Sequence, residues 1–193
     1  SEHGPDAFSG SVWQQASSAA ASHAPYLRRL MLRREDLVTS PDEHWAERIL
    51  HEAISAAEAI ALAPPPIEEA MVILRRAKDA AHLSAALADL SRTWPLMQVT
   101  GALTKFADAS LRAAMAVAAA ESAKRGDIVA GAFDMETGPA PGVALIAMGK
   151  MGAHELNYSS DIDVSIFYDI QGLESIQARE PRVAAVKLVA PLV

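Results

Sequence analysis

The chain has 193 residues, a formal net charge of −7, no cysteine, and a composition that is 51% hydrophobic but only 5% aromatic, which favours closely packed alanine-rich helices. Lack of cysteine excludes a disulfide framework and a thiolate metal site, and the acidic balance disfavours nonspecific binding to DNA or RNA. The opening Ser1-Glu2-His3-Gly4-Pro5-Asp6 lacks the basic start and apolar core of a signal peptide, and the small-residue run Ala113 to Ala120 is far short of the roughly 20 residues that span a bilayer, so a cytosolic protein without a membrane partner is expected.

Residues 1–130 read as helical. Ser40-Pro41-Asp42-Glu43 is a helix start, with Ser40 as N-cap, Pro41 at the first helical position and Glu43 closing a capping box. Trp45, Ile49, Ala53, Ala56 and Ile60 come next at three-to-four spacing. Pro64-Pro65-Pro66 stops that helix, and a second begins near Ile67 with a face of Ala70, Ile73, Ala77, Ala80, Ser84 and Leu87. Trp94-Pro95 marks another break before a helix carrying Val99, Leu103, Phe106, Ser110, Ala113 and Val117. These stripes favour antiparallel helices with short links. The clusters Arg28, Arg29, Arg33, Arg34 and Arg75, Arg76, Lys78 read as solvated faces, with a docking surface as the alternative. His44 and His51 are two turns apart, too far to share a small ion, and His154 reads as a surface histidine.

Gly126 to Gly142 is a composition break, rich in glycine and proline, that separates the helical region from the C-terminal third of the chain. Asp134 and Glu136 within it read as solvated. Then comes an apolar run, Val143 to Met148, a turn Gly149-Lys150-Met151-Gly152, a linker, and a second apolar run, Val164 to Tyr168. The second run is expected to be a strand that starts with Asp161 and Asp163. Carboxylates at i and i+2 of a strand share a face, with Cα atoms roughly 6.5 Å apart, and can hold Mg²⁺ together with waters and phosphate oxygens. An isolated Asp-x-Asp is more often a pair of turn or cap residues. Here the β-branched neighbours favour strand, Ile166 stands where a calcium loop needs glycine, and two like charges side by side call for a cation between them. Gly149 and Gly152 allow positive φ and close approach of backbone to a phosphate; Lys150 can add charge, and Ser159 and Ser160 can donate hydroxyl hydrogen bonds. Neither the P-loop nor the dinucleotide fingerprint is present. The stretch after Tyr168 reads as loop to Pro181, and Arg182 to Val193 as the start of a helix.

The ordered string Gly149-Lys150-Met151-Gly152…Glu155-Leu156-Asn157-Tyr158-Ser159-Ser160-Asp161-Ile162-Asp163 resembles the signature of bacterial glutamine synthetase adenylyltransferase/adenylyl-removing enzymes, bifunctional proteins with two nucleotidyltransferase domains in tandem. Asn157 and Ser159 match the removing half, where the adenylylating half more often has glycines. The close match covers about residues 143–168. It implies an α+β chain: a helical region over 1–130, then the beginning of a polymerase-β-like nucleotidyltransferase domain over 131–193. It implies phosphorolysis of AMP-tyrosine on glutamine synthetase to ADP, regulating nitrogen assimilation. By the same resemblance Asp161 and Asp163 are the catalytic metal ligands for Mg²⁺, and Gly149, Lys150, Gly152, Ser159 and Ser160 border the nucleotide phosphate. Glutamine synthetase, nucleotide and phosphate are the implied partners, with the PII signal protein as a further one.

Ala153 departs from the family, which often has a second glycine there. The family also uses a third carboxylate on a later strand; Asp169, Glu174 and Glu180 lie too close to the pair to supply it, so the chain reads as a fragment that is inactive by itself. Two rivals stand beside this reading: an adenylyl- or uridylyltransferase of the same fold, and a non-catalytic interaction module.

Overall fold

The computed structural model describes residues 11–38, 42, 44–128, 142–158, 160–175, 180, 182–183 and 185–186. Six helices come first: α1 (Ser11–His23), α2 (Pro25–Arg33), α3 (Glu35–Val38), α4 (Trp45–Leu62), α5 (Ile67–Leu90) and α6 (Leu96–Lys124). After them come β1 (Val143–Ala147), α7 (Gly149–Gly152), β2 (Val164–Tyr168) and α8 (Ile170–Ser175). The molecule is thus mostly helical, with one two-stranded sheet among the described residues.

Prolines set the helix boundaries. α2 begins at Pro25, whose fixed φ suits a first helical position. α4 ends just before Pro64-Pro65-Pro66, and α5 and α6 start directly after Pro66 and Pro95. The helix begins later than the expected capping box would start it. α4 starts at Trp45, and Asp42 does the local work: its Oδ1 accepts from the His44 amide at 3.0 Å and its Oδ2 from Arg48 at 2.7 Å. Ser40, Pro41 and Glu43 lie outside the described residues.

α4, α5 and α6 pack against one another, and α1 and α2 lie on α5. The predicted stripes are buried: Ile49, Ala53 and Ile60 on α4, Ala77, Ala80 and Leu87 on α5, Val99, Leu103 and Phe106 on α6. The Trp13 and Trp45 rings meet edge-on at 5.0 Å. The arginine clusters are more than solvated faces. Arg33 reaches Asp79 on α5 at 2.9 Å, and Arg34 bonds both Asp36 (3.0 Å) and the Arg76 carbonyl (2.8 Å), tying α2 and α3 to α5. Among the described residues no helix is long and apolar enough to cross a membrane.

β1 and β2 are antiparallel, with Val143 opposite Tyr168 and Ala147 opposite Val164. The ladder begins at Val164, so Asp161-Ile162-Asp163 is the lead-in to β2 and not its opening residues; the Asp163 carbonyl still accepts from the Met148 amide at 2.8 Å, just past the ladder's end. Ile162, between the two aspartates, is exposed. The segment after Tyr168 is not all loop. Asp169 accepts the Gly172 amide at its Oδ2 (2.9 Å), an N-cap contact that starts α8, and α8 seats Leu173 in a core with Met115, Ala119 and Ile128. Arg182, Val183, Ala185 and Val186 are helical. Residues 129–141, and with them most of the expected Gly126–Gly142 break including Asp134 and Glu136, lie outside the described residues.

Candidate active site

Gly149 leaves β1 with φ +54°, and the Gly-Lys-Met-Gly turn is a single turn of helix, closed by Gly152 N–H to the Met148 carbonyl at 3.0 Å. Both glycines answer to steric demands. A Cβ on Gly149 would lie 3.1 Å from Asp163 Oδ2, and one on Gly152 would lie 2.6 Å from the Ala147 carbonyl oxygen. Ala153 sits in an ordinary right-handed conformation, φ −85°, so alanine costs nothing there. The positive φ (58°) just after the turn falls on exposed His154. Met151 points inward and is buried with Leu156 in the helical core, which anchors the turn from below.

The linker then folds back on itself. Ser160 Oγ donates to Asn157 Oδ1 at 2.9 Å and accepts from the Asn157 amide at 3.1 Å, so the Ser160 hydroxyl closes a turn. The Tyr158 hydroxyl donates to the Asp89 carboxylate at the end of α5. Burial, then that bond, pushes the phenol well above its usual range and keeps it a donor.

This turn delivers Asp163 and Asp161 to different surroundings. Asp163 puts its Oδ2 against the bare Cα of Gly149. Asp161, with Asn157 and Ser160, lines a cleft of about 520 Å³ whose other wall comes from the helices: Tyr26, Arg75, Lys78 and His82. Lys150 and Gly152 are exposed and do not line that cleft, and Ser159 lies outside the described residues. Among the described residues no group of three His, Cys, Asp or Glu side chains could hold a metal ion, so a cation at the pair would complete its shell with water or substrate oxygens. The donors present, two carboxylates, are the hard oxygens that Mg²⁺ takes.

Sequence reasoning missed the helical wall. The Tyr26 hydroxyl and His82 Nδ1 are 2.9 Å apart. Burial, with help from Lys78, lowers the His82 pKa to about 4, so the ring is neutral at pH 7. Arg75, Lys78 and His82 stand at i, i+3 and i+7, one stripe of a helix. That spacing is the available signal, and grouping Arg75, Arg76 and Lys78 as one patch hides it; Arg76 instead turns to Asp36 at 3.6 Å.

A family model described as glutamate-ammonia ligase adenylyltransferase (GlnE) matches residues 13–190. The chain belongs to that family. Relatives in the glutamate-ammonia ligase adenylyltransferase family include proteins named bifunctional glutamine synthetase adenylyltransferase/adenylyl-removing enzyme. That of Caulobacter vibrioides is 50% identical over 135 residues, which are 70% of this chain and 14% of the relative. That of Bradyrhizobium diazoefficiens is 41% identical over 158 residues, 77% of this chain and 15% of the relative. One from Rhodopseudomonas palustris is 40% identical over 158 residues, 81% and 16% respectively. The chain therefore spans well under a fifth of the length of the curated relatives it matches. No solved structure matches it.

Proposed function

We propose that this segment belongs to the adenylyl-removing centre of a bifunctional enzyme acting on glutamine synthetase. An oxygen of inorganic phosphate bonds to the phosphorus of AMP, the bond from that phosphorus to the tyrosine oxygen breaks, and ADP and tyrosinate result; the tyrosinate then takes a proton from solvent. On the same reading β1 and β2 open a polymerase-β-like sheet, and the partners are glutamine synthetase, nucleotide, phosphate and the PII signal protein, in the cytoplasm.

The observation that carries the reading is the placement of Asp163 against Gly149, with Asp161 opening on the cleft. Asp161 and Asp163 would hold Mg²⁺. Bound there, it would neutralise charge on the AMP phosphate and align the attacking and leaving oxygens. The chain's own part is to fix these groups. Gly149 keeps the space beside Asp163 Oδ2 clear, the Asn157–Ser160 turn holds the backbone that carries Asp161, and Met151 pins the glycine turn to the helices. Asn157, which together with Ser159 separates the removing pattern from the adenylylating one, is engaged with Ser160.

The test uses a full-length family protein carrying this segment, because the 193 residues by themselves are proposed to be inactive. Asp161→Asn and Asp163→Asn are expected to abolish phosphate-dependent ADP release from adenylylated glutamine synthetase. Circular dichroism should be unchanged and the adenylylating activity largely retained. Near-normal AMP removal by either variant would overturn the assignment.

A further inference from the structure

The cleft that Asp161 lines also carries positive charge without an ion-pair partner among the described residues. Three cations on the adjoining surface have partners: Arg33 with Asp79, Arg34 with Asp36, and Arg76 with Asp36. Arg75 and Lys78 line the cleft and make no ion pair among the described residues. Asp79, the carboxylate nearest to Lys78 in sequence, is already taken by Arg33. His82 lines the same cleft, with its Nδ1 2.9 Å from the Tyr26 hydroxyl oxygen. Burial favours the neutral ring, with a pKa of about 4. Asp161 is the one carboxylate among the described residues of the lining.

We propose that Arg75 and Lys78 of α5 form a seat for a phosphate group in this cleft, across from Asp161, so that the helical part supplies half of the anion site. Two cations on one wall suit a tetrahedral oxyanion, because charge-assisted hydrogen bonds are the strong ones. Its catalytic meaning rests on the adenylyl-removing reading; the binding itself does not. The phosphate can belong to free inorganic phosphate or to AMP, and both present the same chemistry to this wall.

The experiment is calorimetric titration of the full chain with inorganic phosphate, AMP and adenosine, without divalent cations. Phosphate or AMP should bind and adenosine should not. If inorganic phosphate binds and AMP does not, the seat is the nucleophile's; if AMP binds more tightly, it is the nucleotide's. Arg75→Gln/Lys78→Gln should weaken binding at least about tenfold, as loss of charge-assisted contacts requires. Asp161→Asn should tighten it, since a like charge leaves the opposite wall. Lys105→Gln/Arg112→Gln, in the separate cleft between α4 and α6, should change nothing. Unchanged binding by the Arg75/Lys78 variant, or binding of neither inorganic phosphate nor AMP by the folded chain, overturns the seat. Normal AMP removal by that variant in a full-length protein, with Asp161→Asn inactive, sinks the catalytic meaning of the seat and leaves the function standing. Phosphate binding as described with fully active Asn variants sinks the function and leaves the seat.

Discussion

Single atoms decide the glycine turn. Gly152→Ala pushes a methyl into the Ala147 carbonyl oxygen, 2.6 Å away, and backbone must move to relieve it. A loss of about 1–3 kcal/mol in urea unfolding is expected, the usual cost of overpacking. Gly149→Ala is milder for the fold, about 1 kcal/mol for an alanine held at positive φ, but displaces Asp163 and should cut AMP removal more than stability. His82 gives a sign that pH can read. Its folded pKa, about 4, lies below the ordinary 6.5. The unfolded chain therefore binds the proton first, and the neutral ring's contribution, full above pH 6.5, is lost as pH falls toward 4, by up to about 3 kcal/mol. Urea midpoints of wild type and His82→Gln should converge over that interval. Asp161 and Asp163 can be found from spacing because their signal is local. The contact between His82 and Tyr26 cannot: the two are 56 residues apart, and no pattern in either neighbourhood announces it.

Helices are the easiest elements to read, since proline punctuation and three-to-four spacing both act within a few residues. Breaks at Pro66 and Pro95 fall where expected. The departures turn on side chains with two uses. Asp42 holds the His44 amide just before α4, which begins later than expected, and Asp169 starts a helix where composition suggests loop. β-branched neighbours put the Asp-x-Asp segment inside β2, yet pairing ends where β1 runs out of partners at Ala147. Tight helix contact is the structural return on so much alanine. Ala57 on α4 and Ala113 on α6 are fully buried in one cluster. Ala57→Leu should destabilise the chain by about 1–3 kcal/mol through overpacking, whereas a leucine at exposed Ala59 should be nearly neutral. Thermal melts of the two variants make the comparison.

The helical part and the sheet do not behave as scaffold and passenger. Met151 and Leu156 sit in the same core as Trp13, Trp45 and Phe106, and Tyr158 bonds Asp89 on α5. Met151→Ala should therefore cost about 2–5 kcal/mol in global unfolding, and hydrogen exchange should show α5 amides losing protection together with the glycine turn. Two core clusters draw residues from both sides of the Gly126–Gly142 interval.

The burial of Met151 has a consequence for biosynthesis. Every other buried member of its core except Leu156 lies at or before Ala107 in the chain. A ribosome working from the N-terminus has thus released the whole receiving surface before it makes the plug. The helices can collapse early through local contacts, and the carboxylate-bearing segment then arrives to a prepared socket, so the geometry of the proposed site is acquired after that of the helices.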